Sequence, residues 1–95
     1  MKGMPMRLER VYFSDVAKRL SAALHYPVAV SQLNVLVCGW NNTRQRHHKE
    51  RINFAQRVKD EVRWQKLHGL PIRKERFFFP DELVLFSRYA GYDLT

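Results

Sequence analysis

Four cationic side chains and two histidines fall within nine positions of TRQRHHKERINF, residues 43–54, before the pattern turns apolar. Arg44, Arg46, Lys49 and Arg51 supply the charge, and His47 and His48 are of the type that takes up a proton beside an anion. A guanidinium binds phosphate or carboxylate through two parallel hydrogen bonds, and it reads guanine O6 and N7 in the DNA major groove by the same geometry. Arg44 and Arg46 are therefore candidates for base contacts, and Lys49 and Arg51 for phosphates. Arg73, Lys74 and Arg76 form a second basic group further along.

Other chemistries find less support. Cys38, His25, His47 and His48 are metal-ligating types, but adjacent side chains on a helix diverge by about 100° and the spacing matches no finger pattern. No metal or other cofactor is expected. Cys38 sits in an apolar run and reads as a small buried hydrophobe, while His25 and His68 fall at expected helix ends. There is no Gly-rich phosphate loop and no nucleophile elbow. Of the carboxylate pairs, Asp60-Glu61 reads as part of an exposed helix face and Asp81-Glu82 as a helix start. The expectation is a protein that is not an enzyme.

The whole chain carries a net charge of +8 with a pI near 10.2, which favours a polyanionic partner. Residues 42–76 hold eleven Lys/Arg against four acids, whereas residues 77–95 hold one against three. Double-stranded DNA is the expected partner. Structured RNA and an acidic protein surface answer to the same charge, and a run of cations around Glu50 also suits a solvated helix face.

Ninety-five residues make one domain, and 45% hydrophobic with 13% aromatic content is too much for a disordered tail. A lone cysteine excludes an intrachain disulfide and fits a reducing compartment. MKGMPMRLERVYF lacks the apolar run of a secretory signal, and no stretch of about 18 apolar residues occurs. A cytoplasmic location without a membrane anchor is expected.

These residues need elements to position them. Residues 1–10 read as a loosely held start, and residues 15–25 as an amphipathic helix with Ser14 as N-cap and an end before Pro27. Residues 28–40 fit either a buried strand or a short helix closing at Gly39, with the helix preferred. Residues 43–68 read as one long helix, opened by Asn42 with Gln45 and stopped by Gly69 and Pro71. On it Phe54, Ala55, Val58 and Val62 share a side that continues backwards into Arg44, His47, His48 and Arg51. Cations cannot be buried together, so the first half of that helix would leave the core and enter a DNA groove. Residues 71–79 read as a β-ribbon with Lys74-Glu75 near its tip, and residues 80–90 as a last helix burying Leu83, Val84, Phe86 and Tyr89. In the strand, Phe77 and Phe79 share one face and Phe78 takes the other, with packing against the helices preferred over an exposed stacking surface for bases. The fold class is mainly α with a short β-ribbon, α+β.

Residues 62–90 carry Trp64, the break Gly69-Leu70-Pro71, the cations Arg73, Lys74 and Arg76, the strand Phe77 to Pro80 and then Asp81-Glu82-Leu83. This order resembles the small winged-helix modules of excisionases and MerR-type regulators. The resemblance implies a winged-helix-like domain whose Arg73, Lys74 and Arg76 form a wing on phosphates or the minor groove. It also implies a transcriptional regulator or a recombination accessory factor of mobile elements, dimeric if its site is palindromic.

Overall fold

Three consecutive phenylalanines set the centre of the fold. Side chains alternate along a strand, so Phe78 turns to one side and Phe77 and Phe79 to the other. In the computed structural model, which describes residues 9–95, β1 (Val11–Tyr12) pairs antiparallel with β2 (Phe77–Phe78), Val11 opposite Phe78 and Tyr12 opposite Phe77. Phe78 lies against Phe13, Trp40, Phe54 and Phe86, with ring centroids 4.9 to 5.9 Å apart. Val16, Leu20, Leu33, Val37, Leu83 and Leu94 close the core around these rings.

Four helices surround the ribbon: α1 (Phe13–Leu24), α2 (Val30–Arg46), α3 (Phe54–Leu67) and α4 (Pro80–Ala90). The α+β expectation holds, with helices dominating. The last helix falls where the sequence placed it, started by Pro80 and capped by Gly91 in the left-handed conformation. Two of its expected core residues, Val84 and Tyr89, are exposed instead. No described helix is long and apolar enough to cross a membrane. The loose start expected over residues 1–10 lies, for residues 1–8, outside the described residues.

Three expectations are corrected. The long helix over residues 43–68 is two helices, because α2 ends at Arg46 and α3 begins at Phe54. Its ending uses a Schellman arrangement: the Lys49 N–H reaches the Arg44 carbonyl at 3.0 Å and the His48 N–H reaches Gln45 at 3.2 Å. His48 fills the left-handed position at φ 60°, a place where a glycine would have announced the break. The N-cap of α3 is Asn53, whose side chain accepts the Gln56 N–H at 3.0 Å, while Asn42 lies inside α2.

Second, residues 28–40 are neither a strand nor a helix closed by Gly39. Gln32 turns its side chain back to the Ala29 N–H at 2.8 Å, and from Val30 the helix runs on through Gly39. A Cβ at Gly39 would stand 3.0 Å from the Tyr89 hydroxyl, so the missing side chain leaves room for the tip of Tyr89 against α2.

Third, the 71–79 segment does not pair with itself. Its strand partner is the N-terminal Val11–Tyr12, and the polar groups of residues 73–76 are used elsewhere. The Arg73 N–H donates to Gln65 Oε1 at 2.9 Å, the Arg76 carbonyl accepts the Phe13 N–H at 3.0 Å, and Glu75 Oε2 accepts the Ser14 N–H at 2.8 Å. Glu75 thereby caps α1 from across the chain, and the helix starts at Phe13 after an extended Tyr12 rather than at an N-capping Ser14. Burial alone would raise the Glu75 pKa, but hydrogen bonds from the Ser14 hydroxyl and N–H and the pairing with Arg73 hold it below the usual glutamate value.

Candidate nucleic-acid interface

Residues 44–51 occupy a helix end and a loop, so no basic half-helix projects from the domain. Arg44 is half-buried with its guanidinium 5.1 Å from the Trp40 ring, while Arg46, His47, His48, Lys49 and Arg51 are exposed. The loop returns to the core through Asn41, which is 4% exposed. Its Nδ2 donates to the Ile52 carbonyl at 2.7 Å and its Oδ1 accepts the Ile52 N–H at 2.9 Å. This pair of bonds pins the chain just before α3 and leaves Arg51 at the rim.

Beside that rim is a groove of about 480 Å³ between α2 and the start of α3, lined among others by Asn34, Cys38, Arg51, Asn53, Ala55 and Arg76. Arg76 donates only a long 3.4 Å bond to Asn34, and Arg51 approaches the Cys38 sulfur at 4.0 Å. Among the described residues, neither arginine pairs with a carboxylate. Cys38 is therefore exposed on the groove rather than buried, because the apolar side of α2 is carried by Leu33, Val37 and Trp40.

The same groove adjoins one flank of α3. Counting about 100° per residue from Phe54, Ala55 falls near 100°, Lys59 near 140°, Arg63 near 180° and Lys66 near 120°. All three cations are exposed, and the acid nearest to them, Asp60, lies beyond Arg63 near 240°. Asp60 holds Gln56 at 3.0 Å and Arg63 at 3.5 Å in a solvent-exposed contact. Lys59, Arg63 and Lys66 follow i, i+4, i+7 spacing, a signal present in the sequence but eclipsed there by the denser run at 44–51.

The opposite flank of α3 is structural. Glu61, expected on an exposed face, is buried and takes Arg10 through two 3.2 Å bonds. Arg57 grips Glu82 at 2.7 and 2.8 Å and lies 4.3 Å from the Phe79 ring. Of the apolar set expected on this helix, only Phe54 is buried; Ala55 is exposed and Val58 and Val62 are half-buried. Besides Phe54, which packs on Phe13 and Phe78, this flank is tied to the rest of the chain by these two arginine–carboxylate pairs and by Gln65, which accepts the Arg73 N–H.

The expected site residues thus divide. Arg51 and Arg76 come together in the α2–α3 groove, whereas Arg44, His47 and Lys49 line a separate cleft against α4. Arg73 is spent internally, with its guanidinium 3.5 Å from the Tyr12 ring and paired to Glu75 at 2.9 Å. Arg46, His48 and Lys74 are exposed and line neither opening. Phe77 is buried and Phe79 is covered by Arg57, so the aromatic run offers no open stacking surface. Among the described residues, no three His, Cys, Asp or Glu side chains gather as a metal site would require. No family model, curated protein or solved structure matches the chain.

Proposed function

We propose that the chain binds duplex DNA through the Lys59–Arg63–Lys66 flank of α3, with Arg51 and Arg76 holding phosphates beside it. The observation that carries this reading is a groove at the start of α3 lined by Arg51 and Arg76, neither with a carboxylate partner among the described residues, on the helix whose exposed flank carries Lys59, Arg63 and Lys66. A helix fits the major groove, and a surface of this charge gains affinity by releasing counterions from the phosphates. Arg63 is the base-reading candidate, since its contact to Asp60 is long and exposed; Lys59 and Lys66 suit phosphates as point charges. The connection from α3 through residues 68–76 to a strand paired with the N-terminal segment, and then to α4, suits the winged-helix resemblance, with Lys74 and Arg76 as the available cations of the wing. A regulatory or recombination-accessory role follows from that resemblance.

Titration against duplex DNA at low and rising salt tests the proposal. Replacing Lys59, Arg63 and Lys66 together by alanine is expected to lower the magnitude of the salt slope by about 2, near 0.9 for each of the two lysine-held phosphates no longer neutralised, and to relax sequence preference through the loss of Arg63. Absence of duplex affinity at low salt, or an unchanged slope in the triple variant, overturns it. Preferential competition by structured RNA, or capture of one stoichiometric protein that survives nuclease treatment, would reassign the partner.

A further inference from the structure

Four described arginines lie over aromatic rings: Arg10 on Phe77 and Phe79, Arg57 on Phe79, Arg73 on Tyr12 and Arg44 on Trp40. Three of them are completed by a carboxylate, from Glu61, Glu82 and Glu75. Arg44 has the ring and no acid, and its Nε is the one buried side-chain polar atom among the described residues without a hydrogen-bond partner. Buried polar groups in folded proteins are almost always paired, so the exception records that no protein acceptor among the described residues holds this guanidinium, although the enclosed Nε is not itself open to a ligand.

The surroundings indicate what kind of partner the guanidinium would take. Arg44 lines a cleft of about 260 Å³ between α2 and α4, together with Thr43, His47, Lys49, Arg88 and Tyr89. No carboxylate lines it, and among the described residues neither Lys49 nor Arg88 makes an ion pair. Cations are favoured near helix C-termini, which accounts for part of this charge, but each such terminus carries only about half a negative charge. The two helix ends supply about −1 against three permanent cations, leaving an excess of about +2. From these observations we propose that the α2–α4 cleft binds a phosphomonoester dianion, Arg44, Lys49 and Arg88 meeting its oxygens and the Thr43 hydroxyl adding a donor. The volume falls just below the range of sites for drug-sized ligands, about 300–1,000 Å³, and suits a head group rather than a large molecule. Tyr89, half exposed and fitted against Gly39, walls one side and offers a flat face to a ring attached to the phosphate. Such a group could arrive as a free nucleoside monophosphate or as the phosphorylated end of a nucleic-acid strand. The cleft does not involve the α3 flank and does not depend on the duplex reading.

Calorimetric titration of the full chain with inorganic phosphate, a nucleoside monophosphate and the unphosphorylated nucleoside tests the site. A dissociation constant below about 1 mM is expected for the monophosphate, with no measurable binding of the nucleoside. Arg88→Gln and Lys49→Gln, both at exposed positions that leave the core intact, are each expected to weaken binding about tenfold. Lys59→Gln and Arg63→Gln serve as charge-matched controls and are expected to change it less than twofold. Preference for a 5′-phosphorylated oligonucleotide over its 5′-hydroxyl twin, exceeding that for the free monophosphate, assigns the strand end; the reverse order assigns the small molecule. The proposal is overturned by absent phosphate binding, by equal losses in the control variants, or by equal affinity for a phosphate-free acidic peptide.

Discussion

Asn41→Ala would test the link between the core and the basic loop. The side chain is 4% exposed and makes both hydrogen bonds to Ile52, at 2.7 and 2.9 Å. A net hydrogen bond contributes about 1 kcal/mol, and a backbone group left unpaired away from water costs a further fraction of its desolvation. Ile52 is half-buried, so water repairs part of this loss, and a destabilisation of about 2–3 kcal/mol is expected. For a domain of this size each kcal/mol moves Tm by about 4–8 °C, which predicts a fall of about 10–20 °C. Thermal and urea unfolding measure the stability, and hydrogen exchange at the Ile52 amide locates the cause. A fall in Tm of less than about 4 °C, or an Ile52 amide whose protection is unchanged in the variant, would refute the reasoning.

Other perturbations follow from the same geometry. His48→Gly removes a left-handed residue with a side chain from the end of α2, and it should raise stability by up to about 1 kcal/mol, read as a higher urea midpoint at unchanged m. Glu82→Gln leaves the Arg57 guanidinium uncompensated beside Phe79; a loss of about 2–3 kcal/mol is expected in chemical unfolding, the lower side of the range for buried pairs because both groups keep some solvent. Glu75 has a lowered pKa in the folded chain, so its contribution is present above the unfolded value near 4.5 and is lost as pH falls through the lower folded value. Glu75→Gln should therefore differ most from the parent near neutral pH, and the two urea midpoints should converge below pH 4.5.

What the sequence made legible depended on whether a local signal agreed with the tertiary demand. The last helix was legible because Pro80, Asp81 and Glu82 mark its start and Gly91 its end, and the structure uses all of these in place. The break at residues 47–53 was not, since His48 takes the left-handed position without the glycine that normally advertises it, and Asn41 fixes the loop from eleven residues away. The pairing of Val11–Tyr12 with Phe77–Phe78 was hidden for a related reason: two-residue strands carry almost no periodicity, and their partner choice rests on Phe78 filling the core. In the site, charge at 42–76 was visible but its division was not. Composition cannot distinguish an arginine such as Arg57, with a ring and a carboxylate, from Arg51, which has neither among the described residues.

That distinction also decides how binding should depend on salt. In residues 42–76, eight cations make no pair with a described carboxylate: Arg44, Arg46, Lys49, Arg51, Lys59, Lys66, Lys74 and Arg76. Arg63 adds a ninth whose exposed contact with Asp60 is weak enough to yield to a nucleic-acid contact. If affinity for duplex DNA came from diffuse attraction over the whole basic third, all nine would release counterions and log K would fall against log salt with a slope near −8. The proposed interface neutralises phosphates with four of them, Arg51, Lys59, Lys66 and Arg76, while Arg63 reads a base, and the slope expected is about −3.6. Because Arg44 and Lys49 face the α4 cleft, their replacement by glutamine should leave the slope within about one unit of the parent. A parental slope near −8, or a drop of two units on replacing Arg44 and Lys49, would mean that the duplex lies across the 44–51 segment and that α3 is a bystander.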